Sequence, residues 1–536
     1  MYCAEIISGI KNKFPLFSAI SISEGYPDEV RLKVNPRFFK DACLALHRIL
    51  LSPAMALFAV DERKERAIFT INCVFADRNK SRWIIVSMDI PGENPSFDSL
   101  AKDMYSAGLF ERQIWEMFGI EPKGNPDLRR LNLHDEVWPR GDFPLRKDFK
   151  ESRGGGLGEY EFARVEGAGI FETPVGPVHA GIIGPGHFRF SSAGEPIINL
   201  ELRLGFTHRG VEKLFEGKNL REAIRFSECV SGDSSFAHSM AFSCAAEKIS
   251  GMSVSGPAAY SRAVFLELER MYNHVNDIGG MAVDVGFSFP AAYASIIKEA
   301  ILQLNERLTG HRYLKGVNIV GGVAVNIDED ARNVLLESLA KIEGDFGELI
   351  KILNSSVSFM DRVDTTGILK RRTAEDLGVV GLAARASGVP ADLRKHFPGV
   401  YREAKFKMVT EQAGDVLARL RVRILEFEES ARLIREFLNK IIPPEKIYPV
   451  RDLFSNGANL KMEIREGGAL GYAEGWRGPI LYWLETDASG LIKRCKVVDP
   501  SFHNWQGLSY AVLGNIIPDF PLCNKSFDLS YPGNDL

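Results

Sequence analysis

The stretch Ser261–Gly279, SRAVFLELERMYNHVNDIG, constrains the fold of this chain more than any other. Val264, Leu268, Met271, Val275 and Ile278 recur at alternating four- and three-residue steps and form one apolar stripe of a helix. Glu267, Arg270, His274 and Asp277 recur at three, four and three and form a second, polar stripe. Side chains at these spacings meet on a helix surface and exchange hydrogen bonds. Two readings stay open. The polar stripe is a solvated ion-pair face, or it is a polar file buried in a helix bundle. In the second case a histidine among acids would titrate near neutrality and relay protons.

At 536 residues the chain is long enough for two or more domains, and 45% hydrophobic with 25% charged residues is an ordinary globular balance. A net charge of −4 excludes a strong nucleic-acid binder. The opening MYCAEIISGIKNKF has no apolar h-region, so no secretory leader is expected. A membrane-spanning helix needs about 18 or more uncharged apolar residues. The nearest candidate, Ile278–Ile297, is broken by Asp284, so membrane attachment is expected only through partners. The cysteines, from Cys3 to Cys523, contain no C-x-x-C, which removes the usual signature of zinc-ribbon, thioredoxin-like and ferredoxin-type sites. Their odd number fits a reducing cytoplasm.

Residues 1–150 read as an α+β unit. Glu29–Val34, Ala67–Phe75 and Trp83–Met88 are strand-like, and Phe38–Leu51 has helical spacing. Ser96–Gly119 reads as a helix with Ser96 as N-cap and Gly119 as its stop. The Gly-rich joint at 151–158 reads as a linker. In the second unit, 159–536, Val175–Glu195 suggests a β-hairpin layer. Val211 to Ile442 is mainly helical and is broken by Pro443, Pro444 and Pro449, and Ala458–Val498 is β-rich. The expected fold is an α+β N-terminal domain followed by a mainly α domain with a central helix bundle and small β-hairpin and β segments.

A set of motifs runs through the second unit in order: THRGVEKLFEG (Thr207–Gly217), SECVSGDSSFAHSM (Ser227–Met240), AAEK (Ala245–Lys248), RYLKGVNIVGGV (Arg312–Val323), ARASG (Ala384–Gly388), PSFHNW (Pro500–Trp505) and the closing LSYPGNDL. This unit resembles the large subunit of membrane-bound nickel–iron hydrogenases of the formate hydrogenlyase type, and the 49-kDa subunit of respiratory NADH:quinone oxidoreductase. The end of the first unit, ERQIWEMFGIEPKGNPDLRRLNL (Glu111–Leu133) followed by GDFPLRKDF (Gly141–Phe149), is similar to the 30-kDa subunit of the same oxidoreductase. It departs from that family at Gln113, where an acid is usual, and at Asn125, where His is usual. The fused order matches hydrogenase-4 and formate-hydrogenlyase large subunits, and the chain resembles their cysteine-less, energy-converting-hydrogenase-related members.

The resemblance carries specific expectations. The hydrogenases have Cys-Gly-Ile-Cys where this chain has Ser231 and Ser234, and a second cysteine pair where it has Ser530 and Gly533. A nickel–iron centre needs soft thiolates, so no metal is expected here. Arg209 matches the arginine that lies beside the terminal iron–sulfur cluster of a partner subunit. Gly232 falls at the quinone-binding tyrosine, and His187 and His179 are the hairpin histidines available to a quinone. His238 holds the Ala-His-Ser position, the file from Glu267 to His274 lies in the bundle core, and Arg385 points into the former metal cavity. His187, Ser231, His238, Glu267 and His274 are therefore the cavity or proton-path candidates, and Arg209 the cluster neighbour. Arg129, Arg130, Arg146 and Lys147 suit interface ion pairs. GVNIVGGV has the wrong spacing for a dinucleotide loop, so no NAD or flavin site is expected.

The implied role is a subunit of a membrane-associated energy-converting oxidoreductase, peripheral on the cytoplasmic face of the cell membrane. It would pass electrons from a [4Fe–4S] cluster in an iron–sulfur small subunit to an acceptor such as quinone. Ion translocation would be coupled through quinone-channel-like and antiporter-like membrane-arm subunits. The alternatives are a quinone-site subunit of the NADH:quinone oxidoreductase type and a structural subunit without chemistry. The missing thiolates argue against a true hydrogenase.

Overall fold

The computed structural model describes residues 21–152, 154–441 and 465–536. Cys3, the three prolines expected to break the helical region, and the start of the β-rich segment at Ala458 lie outside the described residues.

The first unit is a five-stranded sheet in the order β1-β2-β5-β4-β3, built from β1 (Ser21–Glu24), β2 (Glu29–Lys33), β3 (Ala56–Glu62), β4 (Ile68–Asp77) and β5 (Arg82–Pro91). Within this sheet β2 and β5 pair in parallel, and the other described pairs are antiparallel. The α1 helix (Pro36–Leu50) starts where Asn35 accepts from the Arg37 amide and Pro36 supplies a pre-set φ. β3 has no counterpart among the strands expected from the sequence, because ALFAV is a short apolar run without alternation.

The helix expected at Ser96–Gly119 is corrected. Ser96–Asp98 is a short strand, β6, paired in parallel with β7 (Glu121–Lys123), and the helix α2 runs only from Gly108 to Phe118. The buried Glu111 carboxylate explains this. It accepts from Ser99 Oγ and from the Leu100 amide at 2.6 Å, which holds that segment extended across the helix. Gly119 does stop α2, at φ 67°.

The end of the joint at 151–158 packs on the first unit. The Gly158 amide donates to the Asp135 carbonyl, and a Cβ on Gly156 would come within 1.8 Å of that same oxygen. The core of the first sheet also continues into the second unit, where Trp83 stacks on Phe397 at 4.7 Å and Leu470, Leu481 and Trp483 join it.

The second unit opens with three antiparallel strands, β8 (Ile170–Val175), β9 (His187–Ala193) and β10 (Ile197–Arg203). The expected hairpin is β8–β9, and β10 adds a strand. A bundle follows, made of α3 (Ser235–Ser250), α4 (Gly256–Asp284), α5 (Ser288–Thr309), α6 (Glu329–Ser355) and α7 (Val416–Leu438). α4 packs against both α5 and α7. It begins five residues before the predicted start, capped by Ser255. Both of its stripes are buried, and Glu267, Arg270, His274 and Asp277 are each 0% exposed, so the solvated-face reading is excluded. The antiparallel sheet β11 (Gly467–Glu474), β12 (Pro479–Thr486) and β13 (Ile492–Val498) lies on α3. The helices α8 (Pro500–Ala511), α9 (Phe520–Phe527) and α10 (Tyr531–Asp535) complete the chain.

Candidate functional site

The turn before α3 and the turn before α10 come together. Ser231 and Ser530 meet directly, Oγ to Oγ, at 2.8 Å. Ser231 also donates to Asp233 at 2.7 Å, and Ser530 accepts from the Gly533 amide at 3.0 Å as the cap of α10. Ser234 donates to Asp233 and accepts from Trp476 Nε1, both at 3.0 Å. A Cβ on Gly533 would lie 2.7 Å from the Asp499 carboxylate. Ser231, Ser234, Ser530 and Gly533, the positions expected from the resemblance to stand in for metal-binding thiolates, thus lie together in the structure.

Their chemistry does not fit a nickel–iron centre. Two of the hydroxyls are hydrogen-bonded to each other, and the fourth position has no donor. Charge is balanced instead by Arg477, which grips Asp233 with two bonds, 2.9 and 2.7 Å, and lies 3.9 Å over the Trp476 ring. Against burial, Arg477 holds Asp233 below the usual carboxylate range.

Next to this turn runs a buried relay. His238 Nε2 faces Asp499 Oδ2 at 3.1 Å, and His238 Nδ1 faces the Tyr482 hydroxyl at 3.0 Å. Asp499 also caps α8 through the Ser501 amide. Against burial, the bond to His238 keeps Asp499 ionised, whereas burial pushes Tyr482 well up.

Glu267 and His274 belong to a separate polar file inside the bundle. Glu267 accepts from Ser430 at 2.6 Å, Tyr401 at 2.7 Å, Arg270 at 3.1 Å and Arg394 at 3.2 Å. Arg385 bridges Glu426 and Glu474, at 2.7 and 3.0 Å. It is therefore spent in this file and does not point at Ser231, which corrects its expected placement. His274 Nε2 meets Glu426 at 2.9 Å, and its Nδ1 is buried without a partner. Burial pushes His274 down to about 4 and outweighs the pull of Glu426. The expectation that it titrates near neutrality is corrected, since its imidazole is neutral at physiological pH. One turn on, Asp277 pairs with Arg423 at 2.8 Å. Burial and neighbouring Asp528 raise Asp277, while Lys525 and Arg477 hold Asp528 low against its own burial.

Arg209 is exposed and precedes a one-turn helix, Val211–Leu214. Its guanidinium donates to the carbonyls of Cys229, Val230 and Pro532 at 2.8, 2.9 and 3.3 Å. Its amide donates to the Leu536 carbonyl. It therefore ties the Ser231 turn to the Ser530 turn. His187 is not brought to this group. Its Nε2 is buried without a partner beside Phe162, burial lowers its pKa, and no hydrogen bond joins it to Ser231 or His238 among the described residues. His179 is engaged by the Gly186 carbonyl, and Gly232 is exposed in a turn.

The basic residues expected at an interface serve contacts within the chain. Arg129 pairs with Glu201 and Lys147 with Glu216, which bridges the two units. Arg130 and Arg146 donate to backbone carbonyls. Gln113 accepts from Lys496 at 2.6 Å, again across the units. Sequence reasoning misses Asp233, Arg477, Asp499 and Tyr482. Asp233 lies inside the quoted motif, between Ser231 and Ser234, and Asp499 directly precedes PSFHNW, so both are within its reach. Arg477 and Tyr482 carry no local signal.

Residues 284–535 match the family model for the respiratory-chain NADH dehydrogenase 49 Kd subunit, and residues 32–154 that for the 30 Kd subunit. The chain is 31% identical to formate hydrogenlyase subunit 5 of Escherichia coli, over 89% of this chain and 84% of that protein. It is 28% identical to hydrogenase-4 component G of the same organism, over 99% and 92%. NADH-quinone oxidoreductase subunit 4 of Thermus thermophilus is 30% identical over 67% and 92%. Fold and matches together define a 30-kDa-type α+β unit fused ahead of a 49-kDa-type helix bundle. The chain belongs to the family of such fused subunits that includes formate hydrogenlyase subunit 5.

Proposed function

We propose that this chain is the large subunit of a membrane-associated energy-converting oxidoreductase and receives electrons from a [4Fe–4S] cluster in a partner iron–sulfur small subunit. The named relatives are subunits of formate hydrogenlyase, hydrogenase-4 and NADH-quinone oxidoreductase, which supports a place in an assembly of this kind. The observation that carries the reading is Arg209. It is exposed, fixed by three carbonyls at the seam of the two turns, and without a carboxylate partner among the described residues. A guanidinium so placed stabilises the extra electron on a cluster docked against it. Behind it, Tyr482, His238 and Asp499 form a hydrogen-bonded line suited to delivering a proton to an acceptor reduced nearby. Quinone is the acceptor we assign.

Coupling to ion movement would run through quinone-channel-like and antiporter-like membrane-arm subunits. No described helix is long and apolar enough to cross a membrane, so those partners would hold the chain at the cytoplasmic face. One observation favours a second reading, a structural subunit without chemistry. The Ser231–Ser530 contact joins the two turns directly, and a cavity of about 520 Å³ lies elsewhere.

Potentiometric titration of the assembled complex, followed by electron paramagnetic resonance, separates the two. Arg209→Met is expected to lower the cluster midpoint by tens of millivolts, and Arg209→Lys to recover part of the shift. An unchanged midpoint in a correctly assembled Met variant would leave the structural reading. Elemental analysis is expected to find no stoichiometric nickel, and one nickel per chain would refute the loss of the metal centre.

A further inference from the structure

The cavity that lies elsewhere has a volume of about 520 Å³, within the range of small-molecule sites. It opens between α3, the first turns of α4, the 393–402 segment and β11, with Ser81 of the first unit at its edge. It is separate from the Ser231 and Ser530 turns. Its walls are apolar and adaptable, with Met240, Met252, Leu266, Phe397 and Val400 among them.

The charge in this cavity is uneven. Lys248, Arg262, Arg394 and Arg402 line it, against only Glu247 and Glu474. Glu247 is consumed by Arg262, which binds both of its oxygens. Glu474 is engaged by Arg385 and the Leu393 amide, and burial pushes it up to about 7. The carboxylates that pair with Lys248 and Arg394, namely Asp28, Glu29, Asp392 and Glu267, stand behind the wall and do not line the space. Arg402 is exposed at the rim and has no carboxylate partner among the described residues. Lys248, Arg262 and Arg394 are thus neutralised by carboxylates, and Arg402 is the lining cation that has none among the described residues, at the rim of an apolar body.

We propose that this cavity binds a small amphiphilic monoanion, a carboxylic acid with an apolar body, whose carboxylate is held at Arg402 and whose body lies against Leu266 and the two methionines. A cation would meet Arg402 at the rim and find no free carboxylate among the lining residues. An inorganic anion would leave the apolar walls uncovered. The inference does not depend on the electron-transfer reading. It also gives the occupant a place beside the buried file, because Arg394 and Tyr401 both line the cavity and bond to Glu267.

Isothermal titration of the full chain with decanoate, decanol and decyltrimethylammonium tests this. Saturable one-to-one binding of decanoate is expected, with decanol weaker by roughly tenfold and the ammonium compound not binding. Arg402→Glu should weaken decanoate by roughly tenfold and leave decanol unchanged. Ala259→Trp and Val400→Trp, each at a half-buried lining position, should block decanoate and decanol alike, with native far-ultraviolet circular dichroism showing that the fold persists. Absence of saturable decanoate binding to the folded wild-type chain would overturn the site. Equal binding of decanoate and decanol, untouched by Arg402→Glu, would overturn the assignment of an acid. Decanoate binding that survives both tryptophan variants would place it outside this cavity.

Discussion

Glu267 illustrates how much of this protein depends on a single side chain. Four donors, from α7, the 393–402 segment and its own helix, converge on a carboxylate with no solvent contact. Against burial, Arg270 and Arg394 keep it ionised. Glu267→Gln would leave these two buried guanidiniums short of a counter-charge, a change that costs about 3–5 kcal/mol. Urea unfolding should show the midpoint falling accordingly, and a loss below about 1 kcal/mol would mean that the file is compensated elsewhere. The Ser231–Ser530 contact supports a second residue-scale prediction. Because the two oxygens are 2.8 Å apart, the double variant Ser231→Cys with Ser530→Cys should form a disulfide on mild oxidation. Intact mass should fall by two hydrogens, with no such change in either single variant.

At the scale of elements, the packing of β11 on α3 is closer than a side chain permits. A Cβ on Gly471 would meet the Ala241 carbonyl at 2.0 Å and the Ala245 amide nitrogen at 2.5 Å, and both atoms are backbone. Neither can yield without moving the helix that carries His238. Gly471→Ala should therefore destabilise by about 1–3 kcal/mol through overpacking. Gly467→Ala in the same strand, where the nearest atom is 4.0 Å away, should be close to neutral. Chemical denaturation of the pair distinguishes a local clash from a general strand effect. The same scale explains why the helix does not start at Ser96. Helix propensity is a local quantity, but the Glu111 carboxylate captures Ser99 and Leu100 from one turn inside the helix and holds them extended.

Charged residues are buried in both fused units, and the stability of the molecule should follow pH in a defined way. Burial holds Glu269 up to about 8, although the Phe236 and Ala237 amides donate to it. In the unfolded chain that carboxyl titrates near 4.5. Between these values the native state keeps a proton that the unfolded state has lost, so this group's contribution to stability falls as pH rises from 4.5 towards 8. Glu269→Gln removes the dependence. The melting temperature of the variant relative to wild type should climb across that window, by up to about 1.4 kcal/mol of stability per pH unit. A flat difference would show that Glu269 is ionised in the native state. His274 and His503 act in the opposite direction. Burial holds each down to about 4 against an unfolded value of 6.5, so acid favours the unfolded chain as pH falls between those values.

What the sequence determined by itself is local or positional. The two stripes of α4, the stop at Gly119, the strands β2, β4 and β5 and the order of family motifs were all legible, because helical and strand periodicity and turn chemistry act over a few residues. Ser231, Ser234, Ser530 and Gly533 were singled out from the sequence by resemblance, and the structure brings them together. Only the tertiary structure decided what those residues meet. Ser430, 163 positions from Glu267, helps to turn the polar stripe inward. Arg477, 244 positions from Asp233, supplies the cation for the carboxylate that the Ser231 and Ser234 hydroxyls bond. His274 was expected to titrate near neutrality once buried among acids, but desolvation outweighs the pull of Glu426 and leaves a neutral imidazole. The physical reason is the same in each case. Periodicity sets which face of an element is polar, but desolvation and charge pairing depend on partners brought together only when distant segments pack.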